Sequence, residues 1–238
     1  MSQSVPTEVD IVIVGGGIVG ASVAYHLAQR GATNVVLLER GQLTCGTTWH
    51  AAGLVGQLRA TLNLTRLAQY TARLYSGLAA ETGQATGFKQ TGSLAVAQTS
   101  ARLEELKRGA SMGRSFGLEV EILTPGEAQA RWPLLASDDL EGAVYLPKDG
   151  QTNPVDTTQA LARGARSRGV KIIEHCRVTA IHTTAGRVTG VRLHLRGRLA
   201  QHEAGALQEK VVAGSMCCGI VSFDIGRRRI DGQHPLCL

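Results

Sequence analysis

Two shortages narrow the functions open to this sequence: it has few aromatic residues and no extended apolar run. Aromatic residues make up 4% of the 238 residues, and none interleave with the scattered basic residues. A nucleic-acid surface needs bases to stack on such aromatics, so the net charge of +6 predicts a solvated basic surface and no nucleic-acid partner. No apolar run approaches the ~20 residues of a membrane-spanning helix, and we expect no membrane insertion.

From the cysteines and the first residues we expect neither a disulfide framework nor a targeting segment. The five cysteines are odd in number and include no CxxC pair, which excludes a disulfide framework and a zinc site as interpretations. The first ten residues, MSQSVPTEVD, are polar and have no apolar core of a signal peptide. The sequence therefore predicts a cytoplasmic protein without a bound metal.

The first forty residues carry the pattern of a β-α-β unit. An apolar run at 11–14 predicts a buried parallel strand. Apolar residues then recur at helical spacing until Gly31, a residue type that often ends a helix. A second apolar run at 34–39 predicts the next strand of the same sheet.

Between the first strand and the helix lies a G-x-G-x-x-G loop made by Gly15, Gly17 and Gly20. These glycines allow a tight turn, close approach of a pyrophosphate, and close helix–strand packing, while a helix beginning at Ile18 offers free N–H groups to phosphates. Glu39 ends the second strand, where its carboxylate can accept both adenosine ribose hydroxyls and would repel a 2′-phosphate. The loop predicts dinucleotide binding but does not choose between FAD and NAD.

The rest of the chain predicts short strands alternating with helices. Helices are expected at 63–82, after Ser100 as N-cap, from Pro125 after Thr124, and at 154–168. In the first of these helices the leucines on one side are Leu64, Leu67, Leu74 and Leu78. Strands are expected in GSLAVAQ, in GAVYLP and three times within 171–195, the last two joined by a turn at Ala185–Gly186.

The segment LTCGTTWHAAGL, at 43–54, has neither helical nor strand periodicity. One bulky pair, Trp49 and His50, stands in a run of small residues. From these residues alone, His50 is interpreted as a loop histidine with no bond to a cofactor. The small neighbours would let backbone lie close to a flat ligand.

Two stretches, IVIVGGGIVGASVAYHLAQRG and LLERGQLTCGTTWHAAGLVGQLRAT, closely resemble the dimethylglycine and sarcosine dehydrogenases, members of the D-amino-acid-oxidase-like flavoproteins. The resemblance continues through LTRLAQYTARLY, ETGQATGFKQTGSLAVA, WPLL, LPKDGQTNPVDTTQALARGA and VTAIHT. It implies an α/β fold: an FAD-binding Rossmann-type parallel sheet at 1–85 and 152–193, with an interleaved, incomplete antiparallel-sheet substrate domain at 86–151.

The resemblance also implies that His50 is joined covalently to FAD, through the 8α carbon of the flavin. Arg40 would lie near the adenosine, and Val178 would meet the adenine through its backbone, with ordinary strand packing as the alternative for Val178. Other residues expected against the cofactor are Thr47, Thr48, Ala51, Ala52, Gly53 and Leu54.

The reaction that the resemblance implies is oxidation of the N-methyl C–H of sarcosine or dimethylglycine, by hydride transfer to flavin N5. It requires an electron acceptor, which the sequence does not identify. A substrate carboxylate needs a cationic partner, and Arg59, nine residues after His50, is the candidate. The alternative for Arg59 is a helix-edge arginine in water.

After about Val191 the likeness fades, and 194–238 is interpreted as a divergent tail, in which VVAGSMCCG echoes the expected strand and turn in altered order. A frameshifted or prematurely ended reading frame is our hypothesis for this tail, and an N-terminal fragment of the enzyme is the function we expect. A catalytically inactive FAD-binding module and an NAD-dependent dehydrogenase are the alternatives.

Overall fold

The structure, a computed structural model, describes residues 5–195 and the strand at 211–213. By their internal contacts these residues form two units. The first unit contains 5–52, 78–86, 154–195 and 211–213, and the second unit contains 53–77 and 87–153. The domain bounds 1–85, 86–151 and 152–193 stay a prediction.

Strands and helices alternate along most of the chain. The strands are β1 Ile11–Val14, β2 Val35–Leu38, β3 Leu54–Val55, β4 Ser93–Ala97, β5 Glu121–Leu123, β6 Gly142–Leu146, β7 Gly150–Gln151, β8 Lys171–Ile173, β9 Cys176–Thr184, β10 Arg187–Leu195 and β11 Val211–Ala213. The helices are α1 Ile18–Gln29, α2 Leu62–Thr82, α3 Ser100–Ser115, α4 Pro125–Arg131, α5 Pro154–Ser167, and a 3₁₀ helix at Thr47–His50.

The first unit is built on a parallel four-stranded sheet of order β11-β1-β2-β8. Its strands are short runs of Val, Ile and Leu, and β2 is buried at every position. Helix α1 packs against α5, and Gly164 of α5 lies so close to Tyr25 that a Cβ there would stand 2.9 Å from the tyrosine ring. The predicted α/β fold with a Rossmann-type parallel sheet is therefore confirmed.

Strands β9 and β10 form an antiparallel hairpin in the same unit. The turn between them places Ala185 and Gly186 at φ 51° and 76°, the left-handed pair that a tight hairpin turn requires. Val191 and Leu193 of β10 join the apolar cluster that also contains Val12 and Leu38 of the parallel sheet. The predicted turn at these two residues is confirmed.

The second unit contains an antiparallel sheet of order β4-β6-β5 and a separate pair, β3 with β7. Helices α3 and α4 pack against the three-stranded sheet. Its core combines Ala110 of α3 with Val144 and Leu146 of β6, together with Leu118 and Val120 of the connection before β5.

One local expectation is wrong, and two local features were not predicted. The N-cap of α3 is Thr99, whose hydroxyl accepts from the Arg102 N–H, so the assignment of Ser100 as the cap is wrong. The leucine side of α2 is only partly buried, since Leu78 is fully buried but Leu64 and Leu67 are 51% and 60% exposed. The two-residue strands β3 and β7 and the strand β5 have no counterpart in the predictions.

Membrane-spanning helices and metal clusters are both absent from residues 5–195 and 211–213. No helix there is both long enough and apolar enough to cross a membrane. No group of three His, Cys, Asp or Glu side chains in these residues could hold a metal ion. Cys45 and Cys176 are free thiols, and the other three cysteines lie outside the described residues.

Candidate cofactor site

The glycine loop joins β1 to α1 in a turn that only glycine can make. Gly15 adopts φ 107°, which side chains rarely tolerate, and its N–H donates to the Leu38 carbonyl at 2.8 Å. A Cβ at Gly20 would stand 1.9 Å from the Gly15 carbonyl oxygen, and one at Gly16 would stand 2.5 Å from the Leu43 side chain. The loop is therefore closely packed, within itself at Gly20 and against the segment after β2 at Gly16.

The N-terminus of α1 is left open for an anion. Gly17 is the N-cap and supplies no side chain to cap the helix, and no acidic residue lies in the first turn. The N–H of Ile18 donates to Thr48 Oγ1 at 3.0 Å, so part of the first turn is already bonded. Free N–H groups and the helix dipole at such an end favour phosphate, and these residues fit a bound dinucleotide.

Glu39 is buried and already holds hydrogen bonds within the chain. Its carboxylate accepts from the Gly16 N–H at 2.6 Å, from the Gly41 N–H at 2.8 Å, and from Cys45 Sγ at 3.6 Å. A carboxylate offers about four acceptor positions, so about one remains for a ribose hydroxyl unless a backbone contact is given up. Glu39 thus also ties the glycine loop to the segment after β2.

The segment after β2 contains contacts that sequence reasoning missed. Thr44 adopts φ 72°, unusual for a β-branched residue, and its N–H donates to the Gly16 carbonyl at 3.0 Å. The Leu43 N–H donates to Glu174 Oε1 at 2.6 Å, across 131 residues of chain. Contacts between residues so distant in sequence leave no local pattern. Arg40 is exposed next to Glu39.

The 3₁₀ helix Thr47–His50 is hydrogen-bonded to α1 through its second residue, Thr48. Thr48 is buried, whereas Thr47, Trp49 and His50 are exposed, as are the following Ala51 and Ala52. The rings of Trp49 and His50 are in contact, with their centroids 3.7 Å apart and their planes inclined by 33°. The structure thus brings Thr48 into contact with the glycine loop, while the imidazole of His50 is exposed to solvent.

Three predicted site residues, Gly53, Leu54 and Arg59, belong to the second unit. Gly53 adopts φ 76° and its carbonyl accepts from the Thr152 N–H at 2.9 Å, while Leu54 is 80% exposed in β3. The guanidinium of Arg59 is exposed and donates to the Leu58 carbonyl at 2.9 Å.

Val178 lies in β9 of the first unit, opposite Leu193. Its side chain packs against the apolar cluster of the parallel sheet. Strand packing thus accounts for the side chain, and the backbone contact to adenine stays a prediction.

The second unit has a polar pocket of about 300 Å³ that no sequence motif indicated. Its walls include Gln57, Arg73, Lys148 and Asp149. Asp149 is buried and accepts from the Gln57 N–H at 2.8 Å and from the Ser93 hydroxyl at 2.6 Å. These contacts satisfy the carboxylate internally, so it fixes the loop between β6 and β7.

Comparison with known proteins decides the family. The model of the FAD dependent oxidoreductase family, DAO, matches residues 10–225. The chain belongs to this family of FAD-dependent oxidoreductases. The L-proline dehydrogenase of P. horikoshii, a solved structure, superposes with a TM-score of 0.78 at 27% identity over 89% of this chain and 54% of that one.

Curated relatives include both dehydrogenases that the sequence resembles. Sarcosine dehydrogenase, mitochondrial, of Homo sapiens is 41% identical over 95% of this chain. Dimethylglycine dehydrogenase, mitochondrial, of Rattus norvegicus is 41% identical over 72% of it. Pyruvate dehydrogenase phosphatase regulatory subunit, mitochondrial, of Mus musculus is 40% identical over 99% of it. The resemblance to sarcosine and dimethylglycine dehydrogenases is confirmed.

The extent of the likeness differs from the expectation. The family match runs to residue 225, beyond Val191, where the likeness was expected to fade, and the interpretation of 194–238 as a divergent tail stays a prediction. Strand β11, inside the segment interpreted as a divergent tail, pairs with β1 in parallel. The chain spans 24%, 20% and 25% of the three relatives' lengths, about a quarter or less of each.

Proposed function

We propose that this chain is the flavin-binding part of an oxidoreductase that oxidises the N-methyl C–H of small secondary or tertiary amino acids, sarcosine or dimethylglycine. The observation that carries the proposal is the junction of the glycine loop, α1 and the 3₁₀ helix through the Thr48 hydroxyl. It puts an open helix N-terminus and the imidazole of His50 on one continuous piece of the first unit. The family match and the names of the relatives support the reaction class.

Each residue then has a defined task. The first turn of α1 binds the pyrophosphate, and Glu39 orients the adenosine ribose with its remaining acceptor position. His50 supplies the imidazole nitrogen for a covalent bond to the 8α carbon. When bound, FAD would supply the two-electron acceptor for the hydride of the N-methyl carbon. Arg59 of the second unit is the proposed partner of the substrate carboxylate, and the electron acceptor belongs to the whole protein.

The first experiment asks whether flavin is attached to His50. The chain is produced with riboflavin in excess, precipitated with acid, and the denatured polypeptide is tested for yellow colour and fluorescence. We expect flavin to stay with the unaltered chain and with His182→Ala, an exposed histidine of β9, and to be lost with His50→Ala. Flavin released from every variant would rule out the covalent bond, and colourless protein would rule out flavin binding.

The second experiment asks whether the bound flavin accepts electrons. Sarcosine or dimethylglycine is added without oxygen, and the visible absorbance of the oxidised flavin is followed in the full-length protein that contains this chain. Bleaching is expected with these N-methyl amino acids and not with glycine. Arg59→Gln should raise the substrate KM and leave kcat largely unchanged, because a carboxylate partner binds the ground state and transition state alike.

A second candidate function is an FAD-binding module without catalysis. The specific support is the 40% identity to a protein named as a regulatory subunit, over 99% of this chain. The full-length protein would then bind flavin but show no bleaching with either amino acid. The NAD-dependent dehydrogenase that the glycine loop alone allowed is set aside, because the chain belongs to a family of FAD-dependent oxidoreductases.

A further inference from the structure

The side chains of Trp49 and His50 form an exposed ring pair in the 3₁₀ helix. The centroids of Trp49 and His50 lie 3.7 Å apart, with the ring planes inclined by 33°. Successive residues of a 3₁₀ helix are turned by about 120° from each other, so neighbouring side chains ordinarily diverge. Contact therefore requires the two side chains to lean toward one another, and it restricts the rotation of both.

The backbone beneath this pair is fixed at one place. Thr48 is 8% exposed, its hydroxyl accepts from the Ile18 N–H at 3.0 Å, and its carbonyl accepts from the Ala51 N–H at 3.2 Å. A Cβ at Gly17 would stand 3.0 Å from the same hydroxyl oxygen. With the backbone held against α1, the main remaining freedom of the imidazole is rotation of its own side chain.

We propose that Trp49 is a positioning residue for cofactor attachment: its indole face holds the His50 imidazole in one orientation, ready to bond to the flavin. This inference rests on the covalent FAD proposed above. In the attachment step an imidazole N–H bond and one C–H bond of the 8α methyl group break, and a C–N bond forms. The two electrons and two protons pass to the ring system and then to dissolved dioxygen, which becomes hydrogen peroxide.

The size of the effect follows from the ring contact. Without the indole face, the imidazole distributes over several staggered orientations, and only those that present a nitrogen to the methyl carbon react. Aromatic pairs in contact bias such an equilibrium by about two- to tenfold. We therefore expect Trp49→Ala to slow covalent attachment about two- to tenfold, and Trp49→Phe, which keeps a ring face, to remain close to the unaltered rate.

The rate is measured directly on the 238-residue chain. Protein produced under riboflavin limitation is mixed with excess FAD in air, samples are acid-precipitated at intervals, and the flavin fluorescence of the denatured polypeptide is recorded. The matched control is Trp132→Ala, the second of the two tryptophans, which contacts Tyr145 edge-on in the second unit and should leave the rate unchanged. Thermal unfolding of each variant shows whether the fold is kept, as expected for a residue that is 57% exposed.

Binding is separated from positioning in a His50→Ala background, where no bond can form. There, adding Trp49→Ala should change the dissociation constant of FAD by less than about twofold. A loss of affinity as large as the loss of rate would make Trp49 a cofactor contact and overturn the positioning role. An unchanged attachment rate in Trp49→Ala would overturn it too, with the proposed function intact, whereas no covalent flavin in the unaltered chain would overturn both.

Discussion

Glu39 forms hydrogen bonds with the glycine loop and the segment after β2, so its role extends beyond contact with a cofactor. Glu39 is predicted as a ribose ligand, yet its carboxylate accepts from the N–H groups of Gly16 and Gly41. Burial makes an unpaired carboxylate costly, so removing either N–H contact would disturb the loop even without ligand. Ligand binding and loop stability therefore depend on the same side chain.

The first prediction concerns Gly20, whose added Cβ would stand 1.9 Å from the Gly15 carbonyl oxygen. Gly20→Ala must push α1 away from the turn, and overpacking of this kind costs about 1–3 kcal/mol. We expect urea unfolding to show that loss of stability, together with weaker FAD binding. Gly109→Ala is the matched control, because Gly109 lies within α3 with nothing within 4 Å of the added Cβ. It should stabilise the protein by about 0.5–1 kcal/mol.

An equal change of stability in the two glycine variants would contradict this account, since it would leave no cost specific to the close approach of Gly20 to the Gly15 carbonyl oxygen. Unchanged FAD binding in Gly20→Ala would show that the loop tolerates a Cβ. Either result would remove the steric argument for the third glycine of the motif.

Among the helices, the start of α4 was predictable from its local capping signal, whereas the N-cap of α3 lies one residue before the predicted one. Pro125 follows Thr124, and the structure has Thr124 as N-cap and Pro125 as the first residue of α4. The Thr124 hydroxyl accepts from the Glu127 N–H at 3.3 Å, while the Thr124 N–H donates to Glu127 Oε2 at 2.8 Å. These bonds form a reciprocal capping box. A hydrogen bond to a residue three positions away is visible in sequence because it is local.

The second prediction tests this capping box. Thr124→Ala removes the hydroxyl and should lower the free energy of unfolding of the second unit by about 1 kcal/mol. Thr124→Ser keeps the hydroxyl and is the control, expected to lie within a few tenths of the unaltered value. The fluorescence of Trp132, the C-cap of the same helix, reports unfolding when measured in a Trp49→Phe background. Equal stability of the Ala and Ser variants would show that the cap contributes nothing.

The remaining elements depended on partners distant in sequence. Strands β3 and β7 have two residues each and pair across more than ninety residues, so neither carries a period of its own. The leucines of α2 have helical spacing, but only part of that side is buried: Leu64 and Leu67 stay exposed, whereas Leu78, in the first unit, is buried. Periodicity predicted the helix itself, whereas which face is covered depends on what packs there.

In the candidate site, too, local motifs were predictable from sequence and long-range contacts were not. The glycine loop and Glu39 follow a local motif and were predicted with their neighbours. The bonds from Thr48 to Ile18 and from Leu43 to Glu174 join segments 30 and 131 residues apart. Such contacts form only in the folded sheet, and no spacing in the sequence predicts them. Covalent attachment at His50, the role of Arg59 and the cytoplasmic location stay predictions.

At the scale of the whole chain, one polar cluster in the first unit joins α1, the C-terminal end of α2 and the residue after α5. The Tyr25 hydroxyl of α1 contacts both carboxylate oxygens of Glu81 in α2, at 2.8 and 2.7 Å. Arg168, just after α5, donates to the same carboxylate at 2.7 Å, and its guanidinium lies 5.4 Å from the Tyr25 ring centroid. This cluster connects segments that are 56 and 87 residues apart.

The charge of Glu81 depends on these contacts. Partial burial by itself raises the pKa of Glu81, but the hydrogen bonds from Tyr25 and Arg168 and the positive charge of Arg168 outweigh it and hold the pKa below its usual 4.5. A carboxyl whose folded pKa is depressed stabilises the fold above its unfolded pKa. That contribution is lost as pH falls through the folded value. The side chain is 35% exposed, which keeps the contribution modest, under about 1 kcal/mol.

The third prediction follows from this linkage. Between about pH 5 and pH 3, the unaltered chain should lose more stability than Glu81→Gln, because the amide cannot titrate and has no charge to lose. Glu8→Gln is the control: Glu8 is an exposed glutamate of the same unit, before β1, and the pH dependence of this variant should follow the unaltered chain. The measurement is the urea midpoint at several pH values, with α1 and α5 reported by far-ultraviolet circular dichroism. Parallel curves for Glu81→Gln and the unaltered chain would mean that the cluster joins the three helices by packing of Tyr25 alone, since the charge of Glu81 would then contribute nothing to their stability.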